Sequence, residues 1–167
     1  MKKSILLLMV VILFGTTACT TKTNDTNETK QLTPSNKRIH EHCTRTGIVT
    51  NGTADLSYEI YYTGEVLNKI ESTEKVSSES SDILDQFEQA YRSIHSHYEG
   101  LKYYETSVVR TNDSVTSKIT IDYDFVDIDE LISIEGEENN IFENKVPKVA
   151  KWKELAEKVG TKCIGVE

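Results

Sequence analysis

Leu56-Ser57-Tyr58-Glu59-Ile60-Tyr61-Tyr62-Thr63-Gly64 is the stretch that decides the fold. Leu56, Tyr58, Ile60 and Tyr62 alternate with Ser57, Glu59 and Tyr61. Successive side chains of a strand point to opposite faces, so this period of two describes an antiparallel strand with one face buried. Just upstream, Asn51-Gly52 is a strong two-residue hairpin signal, and the β-leaning run Thr44 to Asn51 supplies the strand before it. Downstream, Thr63-Gly64-Glu65 turns the chain and Val66 to Val76 returns as a third strand. The alternation of that third strand is poor, which predicts an edge position.

Beyond the three strands, Ser77 to Ser81 breaks the pattern and Ser81 or Asp82 can cap a helix. Ile83, Phe87, Ala90, Tyr91, Ile94, Tyr98 and Leu101 then recur at spacings of three and four, a continuous apolar stripe, with Gly100 as its stop. Lys102 to Thr111 and Ser114 to Phe125 form a second hairpin around Asn112-Asp113. In its second strand Val115, Ile119, Ile121, Tyr123 and Phe125 share one face, and Thr116, Lys118, Thr120, Asp122 and Asp124 the other. Asp127 to Ile134 reads as a short helix with an aspartate cap, followed by an acidic loop over 136–140. Pro147 opens a last helix, with Val149, Trp152, Leu155, Ala156 and Val159 on one side and Gly160 at its end; Cys163 follows in a short tail. Hairpins grouped together and helices grouped together predict an α+β fold. It is an antiparallel sheet of about five strands in β-β-β-α-β-β-α-α order, with helices packed on one face.

The N-terminus has a different character. Met1 to Lys3 is basic, Ser4 to Phe14 is almost wholly apolar, and Gly15-Thr16-Thr17-Ala18-Cys19 follows. A basic start, an apolar run of about ten residues and small residues at a cleavage position are the layout of a secretory signal. The run is well short of the ~20 residues that span a bilayer. The stretch resembles the lipobox of bacterial lipoproteins, in which the cysteine after the small residues is acylated and becomes the new N-terminus. Thr16 stands where that pattern usually has leucine. The resemblance implies a signal peptide over 1–18, lipidation at Cys19 and a membrane-anchored, extracytoplasmic protein. Residues 20–37 are rich in Thr, Asn, Lys and Glu, with Leu32 as their one aliphatic residue. Such a segment buries too little apolar surface to offset its ordering entropy, so 19–37 is expected to be a disordered tether with a coil span of roughly 20–25 Å. A single domain occupies 38–167.

Charge narrows the partners. The formal net charge is −8, and loss of Lys2 and Lys3 with the signal carries it to −10. So acidic a chain repels phosphate backbones and anionic head groups, which argues against nucleic acid and leaves the anchor to the acylated cysteine.

From Leu56 onward the chain resembles the YehR-like family of small bacterial lipoproteins. The resemblance rests on Tyr58 to Thr63 with Gly64 and Val66-Leu67, on Ile119-Thr120-Ile121-Asp122 with Val126-Asp127 and Leu131, and on the final helix ending in glycine. It implies the α+β fold and an envelope location, and it carries no activity, since the family's domain is uncharacterised.

Four groups of residues are candidates for function. Cys43 and Cys163 bracket the domain, and outside the cytosol a disulfide that ties its ends is expected. Free thiols or metal ligands are the alternatives, and no Cys-x-x-Cys spacing supports redox chemistry. His40-Glu41-His42-Cys43 is the sharpest chemical cluster, because imidazole and thiolate suit zinc or copper. His40 and His42 share a face only if that segment is extended, while His95 and His97 point apart on a helix. Asp122, Asp124, Asp127, Asp129 and Glu130 form an acidic cluster that lacks the glycine and distal glutamate of a calcium loop, so a solvated face with a helix cap is expected. Of the adjacent tyrosines Tyr61-Tyr62 and Tyr103-Tyr104, one of each pair should face outward. Tyr61, Tyr104, Asp122 and Asp124 are taken as the contact surface.

No Ser/His/Asp set, glycine-rich phosphate loop or paired-carboxylate motif stands out. The expectation is therefore a binding or interaction module rather than an enzyme, with no cofactor and with an envelope protein as partner. The alternatives are a metal- or small-ligand-binding lipoprotein and a disulfide-handling protein.

Overall fold

A computed structural model of the chain describes residues 37–135 and 141–166. The signal segment, Cys19, most of the tether and the acidic loop lie outside the described residues. Three long strands come first: β1 (Arg38–Val49), β2 (Gly52–Thr63) and β3 (Val66–Ser78). Helix α1 (Ser81–Ser96) follows, then β4 (Tyr104–Arg110), β5 (Ser114–Asp122) and helix α2 (Ile128–Glu135). The chain ends in a small hairpin, β6 (Phe142–Glu143) with β7 (Val146–Pro147), helix α3 (Val149–Lys158) and β8 (Lys162–Gly165). The α+β class and the antiparallel sheet stand as expected. The main sheet has six strands in the order β4-β5-β3-β2-β1-β8.

Among the described residues, all three helices lie on one side of this sheet. Cys43, Val49, Leu56, Tyr58, Ile60, Tyr62, Leu67, Ile70, Val76, Val115 and Ile121 are buried, and the strand register places them on a single face. Helix α1 covers β3, β4 and β5. Leu131 of α2 is fully buried, and Trp152 of α3 packs edge-on against Tyr58 with ring centroids 5.3 Å apart. Each fully buried aliphatic side chain in this layer, such as Ile60, Leu67, Leu84 or Leu131, contributes about 1.5–3 kcal/mol.

Several local expectations change. Strand β3 is central, paired with both β2 and β5. Its alternation is weak because Ser72 and Glu74 face the helices, opposite Tyr58 and Leu56. Burial pushes the Glu74 carboxyl above its ordinary range, and the nearby Arg45 charge opposes that rise. The edge strands are β4 and β8. Cys163 lies in β8, a strand too short to carry a pattern, which pairs antiparallel with β1. Helix α3 begins at Val149, and Pro147 sits in β7 instead. Phe125 is 64% exposed, because the chain leaves the sheet after Asp122.

On α1 the buried line runs through Leu84, Tyr91 and His95 rather than through Ile83. Ser80 occupies the cap position and makes no side-chain cap bond. Asp127 does cap α2, its Oδ1 accepting from the backbone N–H groups of Asp129 and Glu130, both at 3.0 Å.

The first hairpin turns one residue earlier than its sequence signal. Val49 pairs with Gly52, so the loop is Thr50-Asn51, with Asn51 in the left-handed region at φ 54°. Gly52 is required for another reason. A Cβ there would lie 1.8 Å from the backbone oxygen of Ser77 on β3.

Candidate functional site

The helix-free face of the sheet gathers a contiguous polar group from neighbouring strands, although Glu41, Ser72, Glu74 and Ser117 face the helices. Pairing brings His40 opposite Tyr61, His42 opposite Glu59, Tyr61 opposite Lys69, Glu59 opposite Glu71 and Lys69 opposite Asp122. These side chains therefore lie side by side across β1, β2, β3 and β5.

At the corner where β1 begins, the rings of His40 and Tyr61 stack, with centroids 4.4 Å apart and planes inclined by 11°. The guanidinium of Arg38 lies 5.6 Å and the ammonium of Lys69 6.0 Å from the centre of the same tyrosine ring, both within cation–π range. Arg38 also pairs with Asp124 at 3.5 Å, and Asn68 donates to Asp124 at 2.7 Å.

Next to this stack, His40 Nε2 lies 2.7 Å from Oε2 of Glu59, and His42 Nδ1 lies 2.6 Å from Oε1 of the same carboxylate. Segment β1 is extended, so the two histidines do share a face and Glu41 between them points to the helices. Burial raises the Glu59 pKa, but the hydrogen bonds and charges of His40 and His42 outweigh it and hold the carboxyl below its ordinary range. Glu59 was not legible as a partner from local sequence, because it lies 17 and 19 residues from the histidines. Counting pairs outward from a Thr50-Asn51 loop places it opposite His42.

The other candidates separate. Cys43 and Cys163 face each other across β1 and β8 and are joined by a disulfide. Cys43 is fully buried, which suits a structural bridge. Glu41 lies close to both sulfurs, the one such group of metal-ligand type among the described residues, but bridged sulfurs are not thiolate ligands. Glu41 is instead engaged by Lys153 of α3 and by the Tyr62 hydroxyl, each at 2.7 Å. Burial raises its pKa, and these two partners more than reverse the rise.

His95 is buried on α1 and shares a 3.1 Å hydrogen bond with Ser117. Burial lowers its pKa, helped by the Arg92 charge. His97 sits exposed beyond the helix end. The acidic cluster disperses as well: Asp127 caps α2, Asp129 pairs with Lys145 at 2.6 Å, and Asp122 accepts from the Asp124 backbone N–H at 3.1 Å.

Of the tyrosine pairs, Tyr61 faces outward as expected, but Tyr104 does not. Its ring stacks on Tyr98 under the helices at 4.2 Å, and the outward member is Tyr103, 53% exposed and beside Phe125. Tyr103 takes φ 64° just before β4, which breaks the alternation that the sequence suggested. Beneath the same helices Tyr98 donates to Glu135 at 3.5 Å, and burial pushes the Glu135 carboxyl up to about 7.

The fold and the face it exposes define a class: an α+β domain whose antiparallel sheet is covered by helices on one side and polar on the other. Two solved structures share this fold. The solution structure of the YehR protein of Escherichia coli matches with a TM-score of 0.55 at 18% identity, over 77% of this chain and 93% of that one. The solution structure of a protein from Streptococcus pneumoniae TIGR4 matches with a TM-score of 0.50 at 10% identity, over 90% of this chain and 99% of that one. No family model and no curated protein matches the sequence. At these identities the likeness establishes the YehR-like fold. No helix among the described residues is long and apolar enough to cross a membrane.

Proposed function

We propose that this protein is a non-enzymatic interaction module, held to a membrane on its extracytoplasmic side by an acylated Cys19. On this reading it contacts an envelope protein through the helix-free face of its sheet. The observation that carries the reading is that face itself. The sheet turns His40, His42, Glu59, Tyr61, Lys69, Glu71 and Thr120 to one side, while the three helices among the described residues pack on the other. The Tyr61 ring, flanked by Arg38 and Lys69, offers an apolar surface with a polar tip, a composition favoured at contact centres. The domain begins at Arg38, beside that ring, so a tether ending there brings the same corner nearest the anchor. The lipobox-like sequence before Cys19 and the YehR-like fold support the envelope setting.

Membrane fractionation of the wild type and of Cys19→Ser tests the anchor. The expected result is wild type in the membrane fraction and the variant released or unprocessed. A cleaved variant that stays on the membrane would overturn the anchor. Chemical crosslinking in intact cells tests the contact: Tyr61→Ala with Lys69→Glu should remove a specific adduct that Glu157→Lys on α3 leaves in place. Loss in the α3 variant alone would overturn the assigned face.

A further inference from the structure

Strand β4 lies at an outer edge of the sheet, so β5 engages only half of its backbone groups. Asp122 N–H donates to the Tyr103 carbonyl at 3.0 Å, and Thr111 N–H donates to the Ser114 carbonyl at 2.8 Å. Bonded pairs alternate along an antiparallel ladder, so Glu105, Ser107 and Val109 also turn their backbone groups to β5. Tyr104, Thr106, Val108 and Arg110 turn theirs outward, where no strand among the described residues receives them. We propose that β4 and the adjoining side of α1 form a self-complementary interface at which two copies of this chain join, their sheets continuing through β4.

The edge is built to be paired. Solvated edges are ordinarily blunted by lysine, proline or a bulge. Strand β4 has neither lysine nor proline, and its seven residues pair with β5 in unbroken register. Its one arginine, Arg110, folds back onto Asp85 of α1 at 3.1 Å instead of guarding the edge. Val109 is left 57% exposed.

What fits this edge is a second copy, because its features are arranged about a centre. A groove of about 410 Å³ runs between β4 and α1, and its strand wall is Thr106, Ser107 and Val108, centred on Ser107. Its helix wall carries Arg92 at one end and Glu99, in the turn after α1, at the other, with His95 and Ser96 between them. A two-fold axis through Ser107, perpendicular to the sheet, sets two β4 strands antiparallel. It pairs Thr106 with Val108 of the second copy and Tyr104 with Arg110, the residues whose backbone groups point outward. The same axis brings Arg92 of each copy toward Glu99 of the other. With α1 lying over β3, β4 and β5, and β5 between the other two, the paired helices stand roughly 14 Å apart, three strand spacings, a gap for long side chains to cross. Beside the edge Arg92 and Lys118 offset Glu99 and Glu105, so two copies of an acidic chain meet without local like-charge repulsion. The interface is independent of the anchor and of the helix-free face.

Across this axis Ser107 and its mate form a non-hydrogen-bonded pair with Cα atoms about 4.5 Å apart, within reach of a disulfide. The test is mild copper–phenanthroline oxidation of the purified full chain in detergent, carrying Ser107→Cys and read as covalent dimer on a non-reducing gel. A high yield is expected from Ser107→Cys. Little is expected from Val109→Cys, whose own mate lies roughly 13 Å along the strand, or from Thr120→Cys on β5. Added to Ser107→Cys, Arg92→Glu and Glu99→Arg should each reduce the dimer several-fold, and the two together should restore it, a recovery that misfolding cannot produce. Sedimentation equilibrium of the wild-type chain in density-matched detergent should show a mass rising from monomer to dimer with concentration. Monomer mass at every concentration, the result also given by an edge that takes only strands of other proteins, would overturn the interface. So would equal crosslinking at all three cysteines, or charge reversals that have no effect singly or no recovery together.

Discussion

Cys163 lies directly opposite Cys43 across β1 and β8, and the two sulfurs are bonded although the residues are 120 positions apart. The bridge pins a four-residue edge strand to the middle of a twelve-residue one. On the chain-entropy model, closing a loop of this size stabilises by about 4–5 kcal/mol at most. Replacing both cysteines with serine should lower the urea midpoint and the Tm, and reductant should do the same to the wild type but not to the variant. Equal midpoints in all samples would show that the bridge contributes nothing.

A second tie runs between layers. Lys153 of α3 meets Glu41 of β1 at 2.7 Å, and the Glu41 side chain is only 15% exposed. Lys153→Met should destabilise by about 1–2 kcal/mol, because it leaves a poorly hydrated carboxylate short of its charged donor. The exposed Lys158–Glu154 pair serves as control, and Lys158→Met should change chemical unfolding by no measurable amount.

Gly52 is the tightest point of the sheet. A methyl group there meets the Ser77 carbonyl oxygen at 1.8 Å, and that oxygen belongs to backbone that cannot swing aside. Gly52→Ala should cost at least about 2–3 kcal/mol in chemical unfolding or prevent folding altogether. Gly47→Ala is the comparison, since its nearest contact is an ordinary 3.8 Å, and a similar loss in both would contradict the steric account.

Glu135 supplies a pH dependence. Its carboxyl is pushed from the ordinary 4.5 up to about 7 by burial. Between these values the folded chain holds a proton that the unfolded chain releases, so this group's contribution is complete below the lower value and is lost as pH rises through the upper one. Glu135→Gln keeps a neutral side chain at every pH. It should therefore raise the Tm relative to wild type at about pH 8 and change it little at about pH 4. An equal shift at both would remove Glu135 as the titrating group.

Much of the fold could be read from local pattern, because burial imposes its period wherever a strand or helix has one wet face. Tyr58, Ile60 and Tyr62 announced β2, and Asp127 announced the start of α2. The pattern failed where polar residues face the helices. Ser72 and Glu74 disguised the central β3 as an edge, and His95 hid on the buried line of α1. It failed again for β8, whose four residues are a strand only because β1 and the disulfide hold them.

The candidate site was legible in its histidines and not in its third member. Taking Asn51-Gly52 as the loop would put Tyr61 opposite His42. The loop sits one residue earlier, and that shift sets Glu59 there instead. Register is a long-range property fixed by which two residues turn, so the sequence around His40 and His42 alone carries no trace of it.

The most direct measurement of the central claim is site-specific photo-crosslinking in intact cells, with the photoreactive residue placed at Tyr61, at Thr120 on the same face, and at Glu157 on α3. The account predicts one discrete adduct with an envelope protein from Tyr61 and Thr120, diminished by excess unlabelled protein, and none from Glu157. Adducts from Glu157 alone, or the same yield from all three positions, would contradict it.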